Sequence, residues 1–285
     1  MCKIGLVLEG GAYRGVFTAG VLDYLQEQNI TFPYVIGVSA GAGNAASFVS
    51  RQNGKVKNVV TGKSASSHYG IRQMLHSKKI LDTDGIVQDY FYHQLPFDFK
   101  TFFASDTECE FVLTCCETGK AAYFSADGSE QRLTTLTKAT CSVPILCKPV
   151  ELDARNYLDG SLTDSVPIQY ALQNKCDKAV VVLTRRWKEE PPTDYTRLRP
   201  ILHMSYHAQY PNLMDAMMQR KETYEKQMES LSDYERDGKA YVIQPEGMHI
   251  GHFEKDMQKV NAYYDHGKEV MERQLDRLCA FMQAS

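Results

Sequence analysis

The sequence predicts a three-layer α/β fold, in which a mainly parallel central sheet lies between helical layers and is followed by a helical C-terminal extension. Three observations carry this expectation. The chain opens with a strand, a glycine loop and a helix; a second strand turns directly into a small-residue helix; and residues 178–184 form a further strongly apolar run. Apolar strands without polar alternation are buried on both faces, as in parallel sheets. A strand–helix–strand opening then implies right-handed crossovers. Residues 1–190 are expected to form the main unit, and residues 191–285 a mostly helical region packed on it.

Taken in order, residues 3–8 read as the first buried strand, followed at once by Glu9-Gly10-Gly11-Ala12-Tyr13-Arg14-Gly15. From there Val16, Phe17, Ala19, Val21, Leu22 and Leu25 recur at helical spacing, with Asp23, Gln26 and Glu27 opposite. Residues 32–38 are the second strand and 42–49 the next helix, whose small residues let it approach the sheet closely. Residues 51–67 are polar and glycine-bearing and are expected to hold loops and short helices. Residues 82–91 and 98–103 carry aromatics between short turns and are expected as loops and short helices over the site. Residues 110–115 and 121–124, joined through Gly119, read as a hairpin. A helix is expected over 133–140, short strands over 156–158 and 240–244, and a surface linker over 190–200.

Composition narrows the function classes. Across 285 residues, 32 Lys and Arg face 35 Asp and Glu. No global basic field is present, so nucleic acid is not an expected partner. The opening apolar strand is far shorter than the roughly 20 residues that span a bilayer, so neither a signal peptide nor a membrane span is expected, and a cytoplasmic location is. The eight cysteines, at positions 2, 109, 115, 116, 141, 147, 176 and 279, form no CxxC pair. Reduced thiols are expected, with no metal and no cofactor.

Three stations along the chain bear chemistry. The glycine loop from Gly10 to Gly15 opens a helix and aims backbone N–H groups outward, which suits an anion, either a nucleotide phosphate or the oxyanion of acyl transfer. The Gly-Lys-Ser/Thr ending of a phosphate-binding Walker loop is missing. The second station is Gly37-Val38-Ser39-Ala40-Gly41, between strand and helix. Glycine two places to either side allows a sharp turn that leaves Ser39 strained and exposed as a nucleophile. An α/β-hydrolase would place several strands before such an elbow, and here only one precedes it. The third station is Asp159-Gly160-Ser161, after a short strand; alone it reads as a turn.

Together these residues resemble the patatin-like phospholipase family, with its Gly-Gly-Gly-x-Arg/Lys-Gly oxyanion loop, its Gly-x-Ser-x-Gly elbow and a distal Asp-Gly-Gly or Asp-Gly-Ala. The match covers roughly residues 3–185. The resemblance implies a patatin-like fold and a Ser–Asp dyad. Ser39 would attack an ester carbonyl, Asp159 would take and return the proton, and water would release the acyl-enzyme, with no histidine required. It further implies a lipid or phospholipid substrate, transient contact with a membrane surface, and an oxyanion hole from the N–H groups of Gly10, Gly11 and Ala12. Arg14, Gly15, Gly37, Gly41 and Gly160 are the supporting positions. Arg14 could pair with a lipid phosphate or brace the loop. Two residues depart from the pattern. Ala12 replaces the third glycine, at a cost of about 1 kcal/mol if its φ is left-handed, and Ser161 replaces Gly or Ala.

Other readings remain. His249 or His252 could complete a triad with Ser39 and Asp159, although a structural or surface role is the plainer expectation. Leu213, Met217, Tyr224, Met228 and Leu231 form an apolar stripe on a helix whose opposite, solvated face carries the mixed charge of Arg220, Lys221, Glu222, Glu225 and Lys226; a core-facing stripe is expected, with a membrane-contact or partner helix the alternative. Tyr90, Phe91, Tyr92, Phe97, Phe99, Phe102 and Phe103 are candidates for an acyl pocket or lid, with ordinary packing the alternative. A soluble esterase or thioesterase on short acyl groups, and a nucleotide-binding regulatory module in which Ser39 merely caps a helix, are the competing functions.

Overall fold

A computed structural model describes residues 2–62, 81–93, 95–187 and 193–284. Strand β1 (Ile4–Leu8) leads through the glycine loop into helix α1 (Gly15–Glu27), then β2 (Tyr34–Val38) and α2 (Ala40–Val49). Helices α3 (Lys55–Thr61), α4 (Thr83–Phe91) and α5 (Phe99–Phe103) follow. Next come strands β3 (Glu108–Cys115) and β4 (Lys120–Ser125), helix α6 (Glu130–Thr140), and strands β5 (Val150–Leu152) and β6 (Arg155–Asp159). The chain then runs through α7 (Ile168–Asn174), β7 (Lys178–Val182), α8 (Pro211–Arg236), β8 (Ala240–Ile243) and α9 (Met257–Gln283).

The strands form one sheet in the order β5-β6-β3-β2-β1-β7-β8, with β4 also on β3. From β3 to β8 the ladders along this path are parallel, and those of β4, β5 and β6 are antiparallel. Side chains alternate across the strands and seed two cores. Leu6, Leu8, Val35 and Val180 pack with Phe17, Ala45 and Tyr263 of α1, α2 and α9. Val7, Ile36, Val38 and Val181 pack with Ile168, Tyr224 and Met228 of α7 and α8. That is the three-layer arrangement. The last two long helices belong to both layers, and β8 extends the sheet itself. Helices α1 and α9 touch backbone to backbone: a Cβ on Gly20 would lie 2.1 Å from the Tyr264 carbonyl oxygen, and one on Gly267 would lie 2.2 Å from that of Phe17.

The stretch 51–67, expected as loops and short helices, holds helix α3, whose Val56, Val59 and Val60 recur at helical spacing and pack on the core; residues 63–67 lie outside the described ones. Two other expectations need correction. Of the linker expected over 190–200, residues 190–192 lie outside, and Thr196–Leu198 is a 3-10 turn leading into a helical turn, Arg199–Leu202. Helix α7 and strand β5 had too few residues to show a period. Arg220, grouped by its charge with the solvated face, is buried. Leu213, Met217, Arg220, Tyr224, Met228 and Leu231 follow one i, i+3/i+4 line, and all six are buried on α8.

Candidate active site

Strand β2 is buried along its whole length and ends where α2 begins. Between them Ser39 adopts φ 54° and ψ −123°, a strained conformation for any residue with a side chain. The flanking glycines are required by contact. A Cβ on Gly37 would lie 2.4 Å from the Gly41 carbonyl oxygen, and one on Gly41 would lie 2.4 Å from that of Leu8. The Ser39 N–H donates to Thr140 Oγ1 at 2.9 Å, and that hydroxyl donates to the Val112 carbonyl at 2.7 Å. The elbow is therefore tied to β3 and to the end of α6.

Sheet register brings Ser39 to Asp159. Strand β2 runs parallel to β3 and ends with Val38 opposite Val112, while β6 runs antiparallel to it and ends with Asp159 opposite Leu113. Because β4 occupies the other edge of β3, the ends of β2 and β6 meet head-on along one edge. The Ser39 hydroxyl faces the Asp159 carboxyl and favours its ionised form, and that carboxyl accepts the Ser161 N–H at 2.8 Å. Burial raises the Asp159 pKa, against the stabilising pull of the Ser161 amide, the Ser39 hydroxyl and the Arg220 charge. Gly160 has no room for a side chain, since its Cβ would lie 2.2 Å from the Val112 carbonyl oxygen.

The glycine loop packs against the elbow. A Cβ on Gly10 would lie 2.9 Å from Ser39 Cβ, and one on Gly15 would lie 2.9 Å from Ala40 Cβ. The N–H groups of Glu9, Tyr13, Arg14 and Gly15 are engaged by the carbonyls of Val182, His252, Gly11 and Ala12. Those of Gly10, Gly11 and Ala12 have no intramolecular acceptor among the described residues. Ala12 sits at φ 50°, so the left-handed cost applies. The loop is anchored from below by the Glu9 carboxylate, which accepts from the Thr184 N–H (2.7 Å), Thr184 Oγ1 (2.9 Å), Arg185 Nε (3.3 Å) and the Tyr224 hydroxyl (3.0 Å), all buried.

Neither His249 nor His252 is among the groups that act on Asp159. Arg14 Nη2 bonds the His252 ring, and His249 is exposed. Packing around the imidazole, then the positive charges of Arg14, Arg185 and Arg220, push the His252 pKa well down. Arg14 thus ties the glycine loop to residue 252. Sequence reasoning missed Thr140 and Cys141, which carry no motif. The Cys141 thiol contacts Ser39 and is held protonated by burial. It also missed Glu9, Arg185 and Arg220, although the spacing of α8 contained the signal for the last.

Ser39 opens onto a cavity of about 180 Å³ whose wall is almost wholly apolar. Val56, Val59 and Val60 of α3, with Ile86, Val87 and Tyr90 of α4, form its far side. Of the aromatics between 90 and 103 only Tyr90 lines it. Phe91, Phe97, Phe99 and Phe102 stack on one another in the adjoining core.

Comparison with known proteins sorts the chain. The family described as patatin-like phospholipase matches residues 6–172. The chain belongs to the patatin-like phospholipase family. A second match, to a domain of unknown function (DUF6363), covers residues 210–283. Among its relatives, Uncharacterized protein YjjU of Escherichia coli (strain K12) is 29% identical over 188 residues, covering 64% of this chain and 52% of YjjU. Lysophospholipase NTE1 of Candida albicans is 23% identical over 256 residues, 85% of this chain and 18% of NTE1. The chain thus spans about half of the first relative and under a fifth of the second. The crystal structure of VipD from Legionella pneumophila superposes with a TM-score of 0.53 at 12% identity, covering 97% of this chain and 67% of VipD. This patatin-like chain shares that fold.

Proposed function

We propose that the chain is a serine acyl hydrolase of the lipase or phospholipase A type, cleaving carboxylic ester bonds of lipids through Ser39 and Asp159. The observation that carries this reading is a strained serine that lines an apolar cavity while its hydroxyl faces a buried carboxylate. Ser39 Oγ attacks the ester carbonyl while Asp159 accepts its proton, and the amides of Gly10, Gly11 and Ala12 receive the oxyanion. Collapse returns the proton to the leaving alcohol and leaves an acyl-enzyme. A water deprotonated by Asp159 then releases the fatty acid and restores Ser39. Family membership and the names of the NTE1 relatives favour lipid substrates. Among the described residues no helix is long and apolar enough to cross a membrane, so lipid would be met at its surface.

The cavity volume favours one second reading. At about 180 Å³ it falls below the roughly 300 Å³ at which ligand pockets usually begin, so short acyl groups fit it best. A series of p-nitrophenyl esters of increasing chain length separates the two readings, and the short-acyl reading needs turnover to peak at the short end. Fluorophosphonate labelling tests the nucleophile. An adduct is expected on the intact protein and none on Ser39→Ala; labelling that survives the substitution refutes the claim. Asp159→Asn should lose turnover while His249→Ala retains it, and the reverse pattern would restore a triad.

A further inference from the structure

Helix α8 lies beyond the stretch matched by the patatin family, in the region whose own family description names no function. Two of its side chains, one helical turn apart, reach the two halves of the site. Tyr224 donates its hydroxyl to Glu9, the residue just before Gly10. Arg220, 8% exposed, donates Nε to the Ser161 carbonyl at 2.8 Å and Nη1 to the Thr193 carbonyl at 3.2 Å. Its guanidinium also lies 5.7 Å from the centre of the Tyr195 ring. Ser161 is the residue whose N–H holds the Asp159 carboxyl. One face of α8 therefore grips the oxyanion loop through Glu9 and the aspartate turn through Ser161.

The geometry points to Arg220 as a positioning residue of the dyad: by holding the Asp159-Gly160-Ser161 turn from the C-terminal region, it aims the carboxylate at Ser39 and sets the pH range over which that carboxylate works. A buried arginine fixed by two carbonyls is an expensive feature to retain for packing alone, and a leucine would continue the apolar stripe it interrupts. Its charge favours the ionised carboxylate, in opposition to burial. The other groups facing Asp159 are Ser39 from the elbow, Ser161 from its own turn, Cys141 from the end of α6 and Tyr195, none of them cationic. Arg185 and Glu9 face Arg220 from the β7 and β1 ends.

The inference rests on the Ser39–Asp159 reading above, and the test keeps the two apart. Purified full chain is assayed on a soluble p-nitrophenyl ester across pH, with thermal melting and fluorophosphonate labelling of Ser39 alongside. Arg220→Met should lower kcat about 10- to 100-fold with KM nearly unchanged, the size expected when a catalytic group is slightly misplaced. Its acid limb should move to higher pH, because the lost positive charge no longer favours ionised Asp159. Arg220→Lys should return the limb toward its original position while recovering only part of kcat. Should Arg220→Met not fold, Arg220→Gln decides, since it keeps a donor and loses the charge. An unmoved acid limb in the folded neutral variant, or a kcat loss that merely tracks the folded fraction, overturns the role of Arg220. Wild-type protein that hydrolyses no ester and takes no label overturns the dyad instead.

Discussion

The two sides of Ser39 are built on opposite principles. Toward α3 and α4 the wall is valine, isoleucine and one tyrosine, whose hydroxyl is turned away to Ser47 and the Gly43 carbonyl. Toward α8 the ground is charged and buried, where Glu9, Arg185, Tyr224, Arg220 and Asp159 are linked by hydrogen bonds and mutual fields. Apolar burial is non-directional and tolerates a change of volume, so the first side can be reshaped one methyl at a time. A buried polar network is directional and fails when a single member is left unpaired. Substitutions on the apolar side should therefore change which acyl chain is accepted. Those on the charged side should change whether and at what pH the chemistry runs.

The sharpest break is at the junction. Ser39→Ala should reduce ester turnover by about 10³-fold or more, as removal of a nucleophile does, with the fold intact by circular dichroism. Because burial raises the Asp159 pKa, wild-type turnover should fall as pH drops through that raised value, earlier than for an ordinary aspartate. Next comes Glu9→Gln, which removes the charge from the pocket that holds Arg185. A loss of about 3–5 kcal/mol in urea unfolding is expected for a broken buried pair, and a loss under 1 kcal/mol would mean that the network is slack.

A smaller effect on the same side concerns Asp164, which accepts from Tyr123 (2.7 Å) and Gln227 of α8 (2.7 Å) and which burial raises to about 6. The folded state binds this proton more tightly than the unfolded chain. Its stabilisation is thus complete below the unfolded pKa and is lost as pH rises through about 6. Asp164→Asn should then be more stable than wild type at pH 7, by about 1–2 kcal/mol, with the difference shrinking toward pH 4. Gln227 Oε1, buried without a partner among the described residues, can accept from the new amide after a flip.

On the apolar side, Val59→Phe should fill the cavity and lower kcat/KM for long acyl esters about tenfold relative to short ones, leaving short-chain kcat nearly unchanged. An equal loss at every length would mean that Val59 does not meet the acyl chain. The mildest substitution is Ala12→Gly, which relieves a left-handed φ of 50° and loosens the unfolded chain. The two effects oppose each other, and a net stability change under about 1 kcal/mol is expected, measured by thermal melting.

How much could be read beforehand differs between the same two sides. The parallel strands, the elbow and the opening helices are local: residues 4–49 write their own turns with glycine and their own periods with valine and leucine. The site motifs at Gly10, Ser39 and Asp159 could be read for the same reason. The place of α3 within 51–67 is not legible because polar neighbours dilute a two-turn helix, and residues 91–103 suggest a pocket that they mostly pack beside. Arg220 was misplaced because charge was weighed above position, although its place in the 213–231 stripe was visible.

The amino-acid order by itself determined which residues can turn, cap and alternate: the elbow around Ser39 with its flanking glycines, and the two-faced strands. These are one-residue and one-turn properties, set by backbone sterics. Tertiary structure alone decided that β2 and β6 end against each other on β3, so that residues 120 positions apart face each other. It alone delivered Arg220 and Tyr224 from the far end of the chain. Register and helix docking depend on which surfaces find each other, and no local pattern encodes a partner that distant.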